Sequence, residues 1–151
     1  MTDELPAALA GIRDDFLALG VPDRLQLLLE FSNELPALPS EYADHPDLLE
    51  RVEECQSPVF VFVTVGAAPD ASDVVRMHAT APAESPTTRG FASILAQGLS
   101  GLSVEQVLGV PNDYPLTLGL SEAVSPLRIR GMVGMLGRVQ RQVRAKAAET
   151  A

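Results

Sequence analysis

The chain of 151 residues has one cysteine, Cys55, and two histidines, His45 and His78. A single thiol cannot close an intramolecular disulfide, and it is too little to build a zinc or iron–sulfur site from cysteines alone. The histidines stand far apart and lack the spacing of metal ligands; loop polarity and strand packing suffice to explain them. There is no glycine-rich phosphate loop, no Gly-x-Ser-x-Gly elbow, and no histidine near Cys55 in sequence to act as its base. No apolar run approaches the ~18–20 residues of a membrane-spanning helix. Met1-Thr2-Asp3-Glu4 is acidic and lacks the regions of an export signal. A lone thiol without such a signal predicts a reducing, cytoplasmic setting.

Basic side chains are also few. Eleven Lys and Arg face twenty Asp and Glu, and the net charge of −9 argues against nucleic-acid binding. The imbalance is uneven. Residues 1–127 hold 19 acidic and 5 basic side chains, −14, whereas residues 128–151 hold 6 basic and 1 acidic, +5. A basic terminal helix on an acidic body is either a docking surface for a protein or a solvated helix whose late cations suit its dipole.

An apolar content of 46% over this length is enough for one domain with a real core. Leu9, Ile12, Phe16 and Leu19 fall on one stripe of a first helix, Leu5 to Leu19. Asp23, with Gln26 three residues on, reads as the capping box of a second helix, Arg24 to Leu35. That helix carries Leu25, Leu28, Leu29 and Ser32 on one face, with Leu27 and Phe31 beside them. Residues 36–57 form a long acidic loop containing Pro36, Pro39 and Pro46.

Pro58 to Val65 reads as a buried strand, Gly66 to Ser72 as a turn, and Asp73 to Thr80 as a second strand paired in a hairpin. Two strands alone are marginal, so a third is expected around Val52 or Thr80–Ala83. Ser85-Pro86 opens a helix to Leu99 with Phe91, Ile94, Leu95 and Leu99 inward. Ser103 and Gln106 form a capping box for a short helix through Leu108. Residues 111–115 are loop. Ser125-Pro126 starts a long final helix with Ile129, Met132, Leu136, Val139, Val143 and Ala147 inward. Gly131, Gly134 and Gly137 each cost that helix about 0.8–1 kcal/mol against alanine, so close packing or another compensation is expected there.

Three features bear on chemistry. Cys55 lies in the polar turn Glu53-Glu54-Cys55-Gln56-Ser57-Pro58 ahead of an apolar strand, a rigid base from which a side chain can project. It is either a nucleophile carrying a transferable group or an inert core thiol. Glu50, Glu53 and Glu54 nearby disfavour its thiolate, and burial would add to this. Arg128 sits in the first turn of the last helix, where the dipole disfavours a cation. It meets a carboxylate or thiolate from elsewhere, or pairs on the surface with Glu122. Glu84 precedes the Ser85-Pro86 helix and suits its dipole.

Taken in order, several strings resemble the SufE family of sulfur acceptors over about residues 10–147. They are Leu27-Leu28-Leu29-Glu30 with Leu35-Pro36, Val52 followed by Cys55-Gln56-Ser57, Arg89-Gly90-Phe91, and Ser125-Pro126-Leu127-Arg128-Ile129-Arg130-Gly131-Met132. The resemblance implies a single α+β domain, a small antiparallel sheet packed against several helices, a fold shared with cluster-scaffold proteins of another branch. It implies that Cys55 accepts sulfur as a persulfide from a pyridoxal-phosphate cysteine desulfurase, raises that enzyme's turnover, and passes the sulfur to an iron–sulfur scaffold complex. Such a carrier is not a stand-alone enzyme and has no cofactor of its own. It is expected to work without nucleic acid or membrane, as a monomer or weak homodimer. By the same resemblance Arg128 lies near the cysteine loop, Glu84 lies at its base, and Gln56 and Ser57 shape it. Glu54 departs from the glycine common before the family cysteine, which bears on loop flexibility and thiol acidity. The rival readings are a cluster scaffold, a redox-sensing thiol, and an interaction module with a buried, inert Cys55.

Overall fold

The computed structural model describes residues 5–66 and 74–150. Helices α1 (Ala7–Leu17) and α2 (Val21–Asn33) come first, then a short α3 (Ser40–Ala43) and a 3-10 turn (Pro46–Leu48). Strands β1 (Glu50–Arg51), β2 (Phe60–Val65) and β3 (Val75–Thr80) come next. After them stand α4 (Pro86–Leu99), α5 (Val104–Leu108), a 3-10 turn (Tyr114–Leu118) and α6 (Pro126–Thr150). None of these helices is long and apolar enough to cross a membrane.

The sheet is antiparallel in the order β1-β2-β3, with Glu50 opposite Val61 and Val63 opposite Met77. Alternation sets its faces. Val61, Val63, Val75, Met77 and Ala79 are buried inward, while Arg76 and His78 point outward. α6 packs against β2 and α4 against β3, and α2 lies across α4. A methyl group at Gly90 would stand 2.6 Å from the Leu28 carbonyl oxygen, so glycine there lets α2 approach. Arg89 beside it donates to the Ser32 carbonyl at 3.0 Å and the Ala81 carbonyl at 2.7 Å, joining α2 to the exit of β3. The Arg89-Gly90-Phe91 string is therefore scaffold.

The hairpin, the inward faces of α4 and α6, and the Ser103–Gln106 capping box stand as expected. Buried side chains such as Met132, Leu136, Val139 and Val143 each contribute about 1.5–3 kcal/mol. Ala147, expected inward, is only half-buried. The turn expected at 66–72 falls, beyond Gly66, outside the described residues, as does Asp73.

Four expectations are corrected. α2 starts at Val21 with Gly20 as its cap, because Pro22 is tolerated in a first turn, and Asp23 lies inside the helix. Leu25 is exposed rather than packed. The supposed loop at 36–57 contains α3, a 3-10 turn and the third strand, which is Glu50–Arg51, just ahead of Val52. Ser85 is the cap residue of α4 by position, but its hydroxyl makes no capping bond and turns instead to Ser57.

Candidate functional site

Strands β1 and β2 are joined by a loop that carries Cys55. The Val52 amide donates to the Val59 carbonyl at 2.9 Å and closes the neck, and the Cys55 amide donates to the Val52 carbonyl at 3.1 Å. The cysteine thus lies at the tip of a loop rooted in paired strands and folded inward onto α6. Two of the three α6 glycines explain this seat. A methyl group at Gly131 would stand 3.1 Å from Cys55 Sγ, and one at Gly134 would stand 2.5 Å from Glu54 Cγ. Gly137 has nothing within 4 Å of such a group, and the close packing expected there is absent.

Cys55 is a free thiol, 7% exposed. Its Sγ points at the Gly131 carbonyl oxygen at 3.7 Å, a weak bond that only the protonated thiol can donate. Burial first, and the Glu54 charge second, push its pKa up to about 11, against a smaller downward pull from Arg138. At pH 7 about one such thiol in ten thousand is ionised. The dampening expected from the acidic context is therefore present, though burial outweighs charge.

Beside the thiol lies a cavity of about 90 Å³, bounded by Cys55, Gln56, Ser57, Thr88, Leu127 and Arg128. Of the side chains expected at the site, Gln56 is exposed on its rim. Ser57 Oγ lies 2.6 Å from Ser85 Oγ and fastens the loop to the start of α4. Arg128 is exposed, lines the cavity, and makes no ion pair among the described residues. Neither the carboxylate partner nor the pairing with Glu122 is found. Glu84 does not line this cavity. It borders an adjoining open cleft of about 390 Å³, which Ser85, Ser125 and Arg128 also line, so Arg128 spans both. His45 and His78 are not among the cavity's lining residues.

The residue missed in the sequence is Arg138. Its Nη1 donates to Glu50 Oε2 at 2.7 Å, its Nε to Glu54 Oε1 at 2.8 Å, and its Nη2 to Glu54 Oε2 at 3.4 Å. Glu50 is also paired with Arg141 and accepts from Gln142 Nε2 at 2.8 Å. Hydrogen bonds from Arg138 hold the Glu54 carboxyl below the usual range. At Glu50, burial pushes upward but bonds from Gln142, Arg138 and Arg141 outweigh it. The signal available was spacing: Gly131, Gly134, Arg138 and Arg141 recur at three- and four-residue intervals and share one stripe of α6. Arg138 and Arg141 of the last helix are thus paired with carboxylates of the same chain.

The sequence matches the SufE family, described as an Fe-S metabolism associated domain, over residues 10–143. The chain belongs to the SufE family. Two SufE-like proteins of Mycobacterium tuberculosis strains are each 53% identical over 142 residues, covering 93% of this chain and 94% of theirs. SufE-like protein 1 of Arabidopsis thaliana, chloroplastic/mitochondrial, is 30% identical over 93% of this chain and 36% of its own length. The solution structure of a hypothetical protein from Thermus thermophilus superposes with a TM-score of 0.81 at 37% identity, covering 96% of this chain and 99% of that one. The small antiparallel sheet with surrounding helices is thus the fold that the sequence led one to expect.

Proposed function

We propose that the chain is a sulfur acceptor in iron–sulfur metabolism, with Cys55 as the residue that carries the sulfur. The observation that carries this reading is a lone free thiol at the tip of a strand-rooted loop, beside a cavity with room for a further sulfur atom. Family membership supports it. The donor is a pyridoxal-phosphate cysteine desulfurase that holds sulfur as its own persulfide, and the recipient is a cluster scaffold complex. The pyridoxal phosphate resides on the donor.

In the transfer, the Cys55 thiol loses its proton and attacks the outer sulfur of the donor persulfide. The donor S–S bond breaks, its cysteine leaves as a thiolate and takes up a proton, and a new S–S bond forms on Cys55. At rest the thiol is protonated and sheltered, which suits a carrier whose cargo reductants and oxidants would destroy. Transfer therefore requires the loop to turn outward at the donor, where burial no longer suppresses the thiolate. Arg128, exposed and without an ion pair among the described residues, lines the cavity and neutralises the persulfide anion once the loaded loop has folded back. Gln56 and Ser57 set the loop's geometry, and Glu84 borders the neighbouring cleft through which the loop's contact at Ser85 is reached.

A cluster scaffold would need about three or four ligands for its metal. No group of three or more His, Cys, Asp or Glu among the described residues is arranged to hold one. A lone free cysteine also fits a reducing, cytoplasmic site of action. The test is desulfurase turnover with free cysteine as substrate. Adding this protein should raise it, and Arg128→Ala should weaken the rise while leaving the melting temperature in place. Equal loss of both would make Arg128 structural, and no rise with any candidate desulfurase would overturn the acceptor reading.

A further inference from the structure

Among the described residues, three polar contacts of unequal kind hold the Cys55 loop inward. The thiol contact with the Gly131 carbonyl is weak, and the Ser57–Ser85 contact joins two neutral hydroxyls. The third is a charged, two-pronged pair between Glu54 and Arg138. Paired forks of this type are stronger and more directional than neutral bonds.

The two carboxylates on Arg138 are not equivalent. Glu50 lies in β1, is paired to β2, and is held besides by Arg141 and Gln142. Glu54 lies beyond the Val52–Val59 neck, its side chain is 38% exposed, and Arg138 is the one cation paired with it among the described residues. Gly134 leaves the space that its stem occupies. Arg138 therefore has one fixed anchor and one releasable one.

We propose that the Glu54–Arg138 pair is a clasp that keeps Cys55 folded inward, and that a partner opens it by offering a cationic side chain to Glu54. On release, Arg138 keeps Glu50, so the helix gives up little and the loop turns about its neck. The exchanged cation would sit next to the emerging thiol and cancel the carboxylate that opposes its ionisation. The use of the clasp in sulfur acceptance rests on the proposed function; the clasp itself does not, because a small reagent reads the loop without any partner.

The experiment is the rate at which the native protein's thiol reacts with iodoacetamide, an uncharged probe. Arg138→Gln should accelerate labelling about two- to fivefold, the scale of one exposed ion pair. Charge alone predicts the opposite sign, since removing a cation makes the thiol harder to ionise. Labelling at or below the wild-type rate would overturn the clasp. Should Arg138→Gln fail to fold, the wild-type protein decides. Raising salt from about 20 mM to about 1 M should speed its labelling severalfold and leave Glu54→Gln nearly unchanged, because exposed pairs are screened. A wild-type rate independent of salt would be fatal to the proposal. Labelling does not read sulfur acceptance, so failure of the clasp and failure of the acceptor reading are seen separately.

Discussion

Arg128 and Arg138 stand about three turns apart on the same helix and do opposite things. Arg138 grips Glu50 and Glu54 and binds the cysteine loop to α6, while Arg128 lines the thiol's cavity with no ion pair among the described residues. One is committed to holding the resting structure and the other is left available. Their difference divides α6 into a stretch that clasps the loop and a stretch that lines the thiol's cavity. It also shows that a cation near a cysteine need not activate it. Arg138 pulls the thiol pKa down, but burial and the Glu54 charge outweigh it.

Truncating each arginine separates the two roles. Arg138→Ala strands half-buried Glu50 with fewer partners and frees Glu54, and should lower the unfolding free energy by about 1–2 kcal/mol in urea titrations. Arg128→Ala removes no contact of this kind and should change it by less than about 0.5 kcal/mol. Similar losses in the two variants would erase the distinction.

The division of labour between these arginines was only half legible in the sequence. Arg128 stood out because a cation at a helix start is locally unfavourable, which is a feature of its immediate neighbours. Arg138 looked ordinary, since its partners Glu50 and Glu54 are 88 and 84 residues away. The same limit applies to the fold. β2, β3, α4 and α6 announce themselves through repeated periodicity and caps, whereas β1 has two residues and cannot show an alternation. Glu54 was expected to bear on loop flexibility and thiol acidity, and its carboxylate is one half of the contact that holds the loop.

The glycines sharpen the contrast along the helix. Gly134→Ala places a methyl group against the Glu54 stem, and should destabilise the protein by about 1–3 kcal/mol despite a better helix propensity. Gly137→Ala meets nothing and should stabilise it by about 0.5–1 kcal/mol. Thermal melts of the two variants should shift in opposite directions; shifts of the same sign would remove Gly134 from the account of the seat.

A smaller effect concerns acid. Glu50 and Glu54 titrate below the usual carboxylate range in the folded protein. Their contribution is therefore complete above the unfolded value near ~4.3 and is lost as pH falls through the lowered folded values. Stability measured downward from about pH 5 should decline less steeply in Arg138→Ala than in the wild type. An unchanged slope would mean that Arg138 does not set these carboxyls.

Where sulfur lands decides the role of Cys55. After incubation with a cysteine desulfurase and free cysteine, mass spectrometry should find one added sulfur atom on the peptide containing Cys55. Cys55→Ser, melting as the wild type does, should gain none. No sulfur on wild-type Cys55 with an active donor, or undiminished loading of the serine variant, would contradict the account.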